Sequence, residues 1–156
     1  MDRDRELLLR AIELADEGMI KGGGPFGALI VRDGKVLAEA GNSVVLNADP
    51  TAHAEIVAIR KAASVLDSHE LNDCTLYCSC EPCPMCLGAI YWAGIEKVVY
   101  SCDRKDAEEA GFSDSDIYDQ IKLAPAKRRI RFRRLDTKEG KEVLRRWESY
   151  DNKIQY

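Results

Sequence analysis

Apolar positions first recur at helical spacing: Leu7, Leu8, Ala11, Ile12, Ala15 and Met19 share one side of residues 6–19, with Arg and Glu between them. That stretch predicts an amphipathic helix covering a sheet. The period then changes. Residues 26–31 and 35–40 are β-type runs on either side of Arg32-Asp33-Gly34, and Asp-Gly between two such runs predicts a hairpin. Residues 52–66 return to helical spacing, with Ile56, Ile59, Ala63 and Leu66 on one face and Val57 beside them. Residues 75–80 alternate Leu76, Cys78 and Cys80 against Thr75, Tyr77 and Ser79, which suits a strand that Glu81 and Pro82 end. Pro84 fits the first turn of a helix running to Ala93, with Cys83 at its cap.

Residues 96–102 form the next expected strand, where adjacent Val98 and Val99 imply burial on both faces. Strand, helix and strand there make a crossover with parallel strands. Residues 103–115 are polar and follow the carboxyl end of what is expected to be a central strand, where α/β sheets place ligands. A short helix over 117–121 follows, with Asp114 or Asp116 suited to its cap. A fifth strand is expected over 129–135 and a last helix over 140–152, leaving 153–156 as a tail. The sum is a single α/β domain over 1–156, a three-layer α/β/α sandwich on a mixed five-stranded sheet.

A chain of 156 residues buries roughly 68–70% of its unfolded surface, so its core needs no disulfide staple. Its start is highly charged and no run approaches the ~20 apolar residues of a membrane span, which points to the cytoplasm. Six cysteines in a reducing compartment then mean metal ligands or inert core thiols. The net charge of −4 works against phosphate contacts. One stretch runs the other way. Residues 127–134, KRRIRFRR, carry six basic side chains in eight; they read as an RNA contact or, more plainly, as a strand with Ile130 and Phe132 inward.

Four cysteines, Cys78, Cys80, Cys83 and Cys86, crowd into one strand-to-helix junction. Cys83 and Cys86 lie about one helical turn apart and can face one ion, and a helix N-terminus favours their thiolate form. Alone, the pair fits a redox dithiol, or half of a four-thiolate structural zinc site. Some thirty residues upstream stand His53 and Glu55, and His-x-Glu followed by Pro-Cys-x-x-Cys marks zinc-dependent nucleobase deaminases. Such chemistry needs one His and two Cys on the metal, a fourth corner open to water, and a carboxylate beside it. Residues two apart in a helix diverge by about 200°, so His53 and Glu55 must lie at a helix start, with Asp49 or Thr51 as cap. Two helix N-termini are therefore expected to meet at one Zn²⁺.

Across GGPFGALIV, DPTAHAEIVAIRKA, CSCEPCPMCLGAIYWA, AEEAGFSDSDIY and the closing Tyr156, the chain resembles the cytidine deaminase superfamily, and within it the bacterial guanine deaminases of that type. The resemblance implies that His53, Cys83 and Cys86 hold zinc and that Glu55 moves protons. It implies that Asn42 hydrogen-bonds a purine ring, that Asp114 receives the guanine amino group, and that Trp92 and Phe26 line the pocket. Tyr156 would fold over the base as a lid. It also implies a homodimer whose C-terminal tails reach the partner's site. The expected reaction is hydrolysis of guanine to xanthine and ammonia. Guanosine and tRNA adenosine deaminases share the metal motif and are the enzyme alternatives. A non-catalytic zinc module built on Cys78, Cys80, Cys83 and Cys86 is the alternative outside enzymes.

Overall fold

The computed structural model describes residues 2–156. The chain divides into two compact units, one ending at Asp114 and one spanning Ser115–Tyr156.

The first unit opens with α1 (Arg3–Ile20), then β1 (Gly27–Arg32) and β2 (Lys35–Gly41). The short α2 (Val44–Asn47) precedes α3 (Ala54–Leu66). Next come β3 (Cys74–Cys80), α4 (Pro84–Trp92), β4 (Lys97–Cys102) and α5 (Arg104–Glu109). The strand order is β2-β1-β3-β4. β1 pairs antiparallel with β2 and β3, and β3 pairs parallel with β4, as the crossover through α4 requires. Asp33 and Gly34, with φ of 50° and 72°, make the tight hairpin turn that their dipeptide predicts.

Strand alternation decides the layers. Leu29, Val31, Tyr77 and Val99 pack with Leu7, Ala11 and Leu14 of α1 on one side of the sheet. Ala28, Ile30, Leu76, Cys78 and Val98 pack with Ala54, Ala58 and Ala62 of α3 and Ile90 of α4 on the other. The result is the expected α/β/α sandwich. Small residues on α3 let it lie close on the sheet, while Asp4, held by Tyr77 Oη at 2.6 Å and by Lys97 Nζ at 2.7 Å, fastens the start of α1.

Among the described residues the sheet has four strands, not five. Residues 129–135 form no ladder; the Arg129 amide donates instead to Gln120 Oε1 at 2.7 Å, and its guanidinium pairs with Asp116. Ile130 and Phe132 are 71% and 53% exposed, with the Arg128 guanidinium 5.1 Å from the Phe132 ring centroid. Alternating apolar residues become a strand only when a neighbour supplies hydrogen bonds. For the same reason β4 is an edge of the sheet, not the central strand expected from its two valines. The second unit otherwise comprises α6 (Ser115–Lys122), a 3₁₀ turn at Pro125–Lys127 and α7 (Lys138–Glu148).

Candidate metal centre and active site

His53 is the residue that caps α3, with extended backbone (φ −63°, ψ 154°), not Asp49 or Thr51 as their side chains suggest. The Asp49 carboxylate is already committed, accepting from the Thr51 amide at 2.8 Å and from Thr51 Oγ1 at 2.7 Å. That turn delivers His53 to the cap. Its carbonyl accepts the first helical bond, from the Val57 amide at 3.0 Å, while its side chain leaves the helix axis. Glu55 is one step inside the helix. A non-helical residue at 53 thus removes the 200° conflict that two residues in one helix would face.

Cys83 repeats the arrangement on α4. It caps the helix with extended backbone (φ −66°, ψ 169°), Pro84 occupies the first turn, and Cys86 is buried on that same turn. The three ligand atoms of His53, Cys83 and Cys86 lie within 4.8 Å of one another. His53 Nδ1 is 3.5 Å from Cys83 Sγ and 3.6 Å from Cys86 Sγ. A tetrahedral zinc with bonds of roughly 2.05 Å to nitrogen and 2.3 Å to sulfur sets those atoms about 3.6 Å apart, so both nitrogen–sulfur distances fit the metal.

The electrostatics suit a cation. Cys83's thiol is lowered to about 4, first by its hydrogen bond with Cys86 and then, against burial, by that with His53. Cys86 is raised by the same bond with Cys83 and by burial. His53 is raised above its ordinary value by its bond with Cys83. Two sulfurs and an imidazole share protons that a dication would displace.

Cys78 and Cys80 do not join them. Cys78 Sγ faces Val99 O at 3.9 Å and Cys80 Sγ faces Asp103 O at 3.5 Å. Burial raises both thiols, Cys80 to about 11. Among the described residues the metal-binding group consists of His53, Cys83 and Cys86 alone, which leaves the fourth corner without a protein ligand and removes the four-cysteine module.

Glu55 is buried, and that burial raises its carboxyl; Cys86 hydrogen-bonds it and opposes the shift. It stands beside the ligands without being one of the three.

Asn42 is buried. Its Oδ1 accepts from the Val44 amide at 3.2 Å and the Gly24 amide at 3.4 Å, which fixes the amide orientation and reserves Nδ2 for donation. The glycine-rich segment 21–26 is a turn after α1, with one demand: a Cβ on Gly23 would meet Asn42 O at 2.3 Å. Phe26 packs against the core and meets Phe112 edge to face, centroids 4.9 Å apart at 86°. Asp114 closes this unit, with its Oδ1 3.5 Å from Arg104 Nη2. Burial raises its carboxyl against the opposing pull of Arg104, and Cys83 and Glu81 lie within electrostatic range.

Two predicted residues are largely exposed. Trp92 ends α4 and is 72% exposed, and the eight steps from Pro84 at 1.5 Å each place it about 12 Å along the helix. Tyr156 belongs to the second unit and is 74% exposed. Sequence reasoning missed Phe112, Arg104 and Glu81. The first lies inside GFSDSDIY, and Glu81 lies inside CSCEPC, but nothing local marks Arg104.

The open corner beside a buried carboxylate, mounted on this sandwich, defines a zinc-dependent deaminase domain. The chain belongs to that family: the cytidine and deoxycytidylate deaminase zinc-binding region matches residues 1–102. Within it, the chain is 51% identical over 150 residues to guanine deaminase of Bacillus subtilis strain 168, covering 96% of each chain. The X-ray structure of guanine deaminase from Bacillus subtilis matches with a TM-score of 0.95 at 50% identity, over 97% of this chain and 98% of that one. A tRNA-specific adenosine deaminase of Haemophilus influenzae is 40% identical over 98 residues, 62% of this chain and 57% of its own.

Proposed function

We propose that this chain is a guanine deaminase, a zinc-dependent aminohydrolase that converts guanine and water to xanthine and ammonia. One observation carries the reading. Similarity to guanine deaminase extends over 96% of the chain and therefore through most of the second unit, whereas tRNA-specific adenosine deaminases match 61% to 71% of the chain.

When bound, zinc supplies Lewis-acid activation of water at the open corner. The protein does the rest. Glu55 takes a proton from that water as its oxygen adds to C2 of the base and delivers it to the adjacent ring nitrogen; it then takes the remaining proton from the new C2 hydroxyl and delivers it to the amino group as the C2–N bond breaks and ammonia leaves. Burial favours the protonated form of Glu55 between those steps. Asn42 donates Nδ2 to the purine ring, and Asp114 accepts from the amino group. Phe26, braced by Phe112, bounds the pocket. Trp92 would complete its wall and Tyr156 its lid.

A homodimer with exchanged C-terminal tails is part of this reading, supported by the exposed Tyr91 of α4 and by exposed Ile130, Phe132 and Leu144 in the second unit. Light scattering of the purified protein checks it; a monomer at micromolar concentration would sink it. Six free cysteines suit work in a reducing cytoplasm, and among the described residues no helix is long and apolar enough to cross a membrane.

The test of the activity is ammonia release from guanine, guanosine, adenine, cytosine and a tRNA anticodon stem. Guanine is expected to be the best substrate. Release from guanosine or tRNA without release from guanine would overturn the assignment.

A further inference from the structure

Arg104 opens α5 and stands between two carboxylates. Its backbone amide donates to Glu81 Oε2 at 3.2 Å. Glu81 follows β3 directly and precedes Pro82 and the ligand Cys83. On its other side, Arg104 Nη2 lies 3.5 Å from Asp114 Oδ1. The Asp114 side chain is 18% exposed and that of Arg104 37%, so the carboxylate is sheltered while the guanidinium stays partly in water. The Phe26–Phe112 contact holds the loop two residues before Asp114. The loop is thus pinned by an aromatic pair at one point and an ion pair at the next.

From this geometry we infer that Arg104 is a positioning residue for substrate selection, holding Oδ1 of Asp114 so that Oδ2 is presented to the amino group of the bound base. The inference rests on the reading of Asp114 as the guanine contact. A planar, always-charged guanidinium suits the task because its donors have fixed directions, unlike the free-swinging ammonium of lysine. Through the hydrogen bond that its backbone amide donates to Glu81 the same residue ties the loop of Cys83 to the loop of Asp114. The connection between the metal corner and the carboxylate that reads the base therefore passes through one residue, by its amide on one side and its guanidinium on the other. Its charge also counters the burial that raises Asp114's carboxyl, and an ionised carboxylate accepts hydrogen bonds where a protonated one would donate.

Steady-state kinetics with guanine on Arg104→Gln, Arg104→Lys, Asp114→Asn and the Arg104→Gln/Asp114→Asn double variant tests this, with zinc content measured on each. Arg104→Gln is expected to raise KM about tenfold, with kcat changed less than about threefold and zinc unaltered. Arg104→Lys should recover part of that loss. The double variant should be no worse than Asp114→Asn alone, because a residue that acts through another has nothing left to act on. Losses that multiply in the double variant would overturn the proposal, as would a fall in kcat or zinc at constant KM. If Asp114→Asn raises KM and Arg104→Gln does not, Arg104 loses its role while Asp114 keeps its own. A wild-type protein that releases no ammonia from guanine fails the functional reading itself.

Discussion

His53 and Cys83 come within 3.5 Å of each other, Nδ1 to Sγ, because each is the last extended residue before a helix. Their side chains leave α3 and α4 at the point where both helices present unpaired amides. The positive ends of two helix dipoles converge there, an arrangement that favours thiolate over thiol. Everything the site does follows from this meeting of caps.

Glu55 stands beside the ligands but is not needed to hold the ion. Glu55→Gln is therefore expected to keep zinc at its wild-type content and to lower kcat on guanine by about 10²–10⁴-fold, the usual worth of a general acid–base group. Metal analysis and an ammonia assay on the same sample check both halves. Undiminished turnover would remove Glu55 from the chemistry.

Cysteines in one short stretch divide into ligands and core. Cys83→Ser should lose zinc together with activity. Cys78→Ala and Cys80→Ala should retain it, since their sulfurs face Val99 O and Asp103 O. Zinc content after dialysis decides; loss in either alanine variant would contradict the three-ligand corner.

Gly23 is set by space rather than by backbone angle. In Gly23→Ala the new methyl would meet Asn42 O at 2.3 Å, so the segment bearing Asn42 must shift. The expected cost is about 1–3 kcal/mol of stability, with a several-fold rise in KM for guanine as the Asn42 amide moves. A thermal melt and a KM determination measure the two effects. An unchanged KM would show that Asn42 tolerates displacement.

Remote from the site, Arg10 Nε and Nη2 grip Glu39 Oε1 and Oε2 at 3.0 Å and 2.9 Å, joining α1 to β2. This bond, ahead of burial, lowers the Glu39 carboxyl below its ordinary 4.5. A lowered folded-state pKa means stabilisation that is complete above the ordinary value and fades as pH falls through the folded one. Wild type should therefore melt higher than Glu39→Gln at pH 6, by an amount worth under about 1 kcal/mol for so exposed a pair, and the gap should narrow steadily as pH is lowered below 4.5. A gap that does not narrow there would mean that Glu39 acts through packing instead of charge.

Periodicity, turn chemistry and metal-ligand spacing are local, so the sequence by itself determined α1, the Asp33-Gly34 hairpin, the crossover through α4 and the ligand trio with its neighbouring Glu55. Each is set by residues within a few positions of one another, or by donor types that together suit zinc. Strand pairing is not local. Only the tertiary structure decided that β4 is an edge and that residues 129–135, despite an alternating pattern, join no ladder. It alone placed the cap at His53, turned the Asn42 amide through Gly24 and Val44, set Phe112 on Phe26 and brought Arg104 to Asp114. Those contacts join segments whose approach depends on the packing of the whole sheet, and no pattern of neighbours along a chain encodes a distance across it.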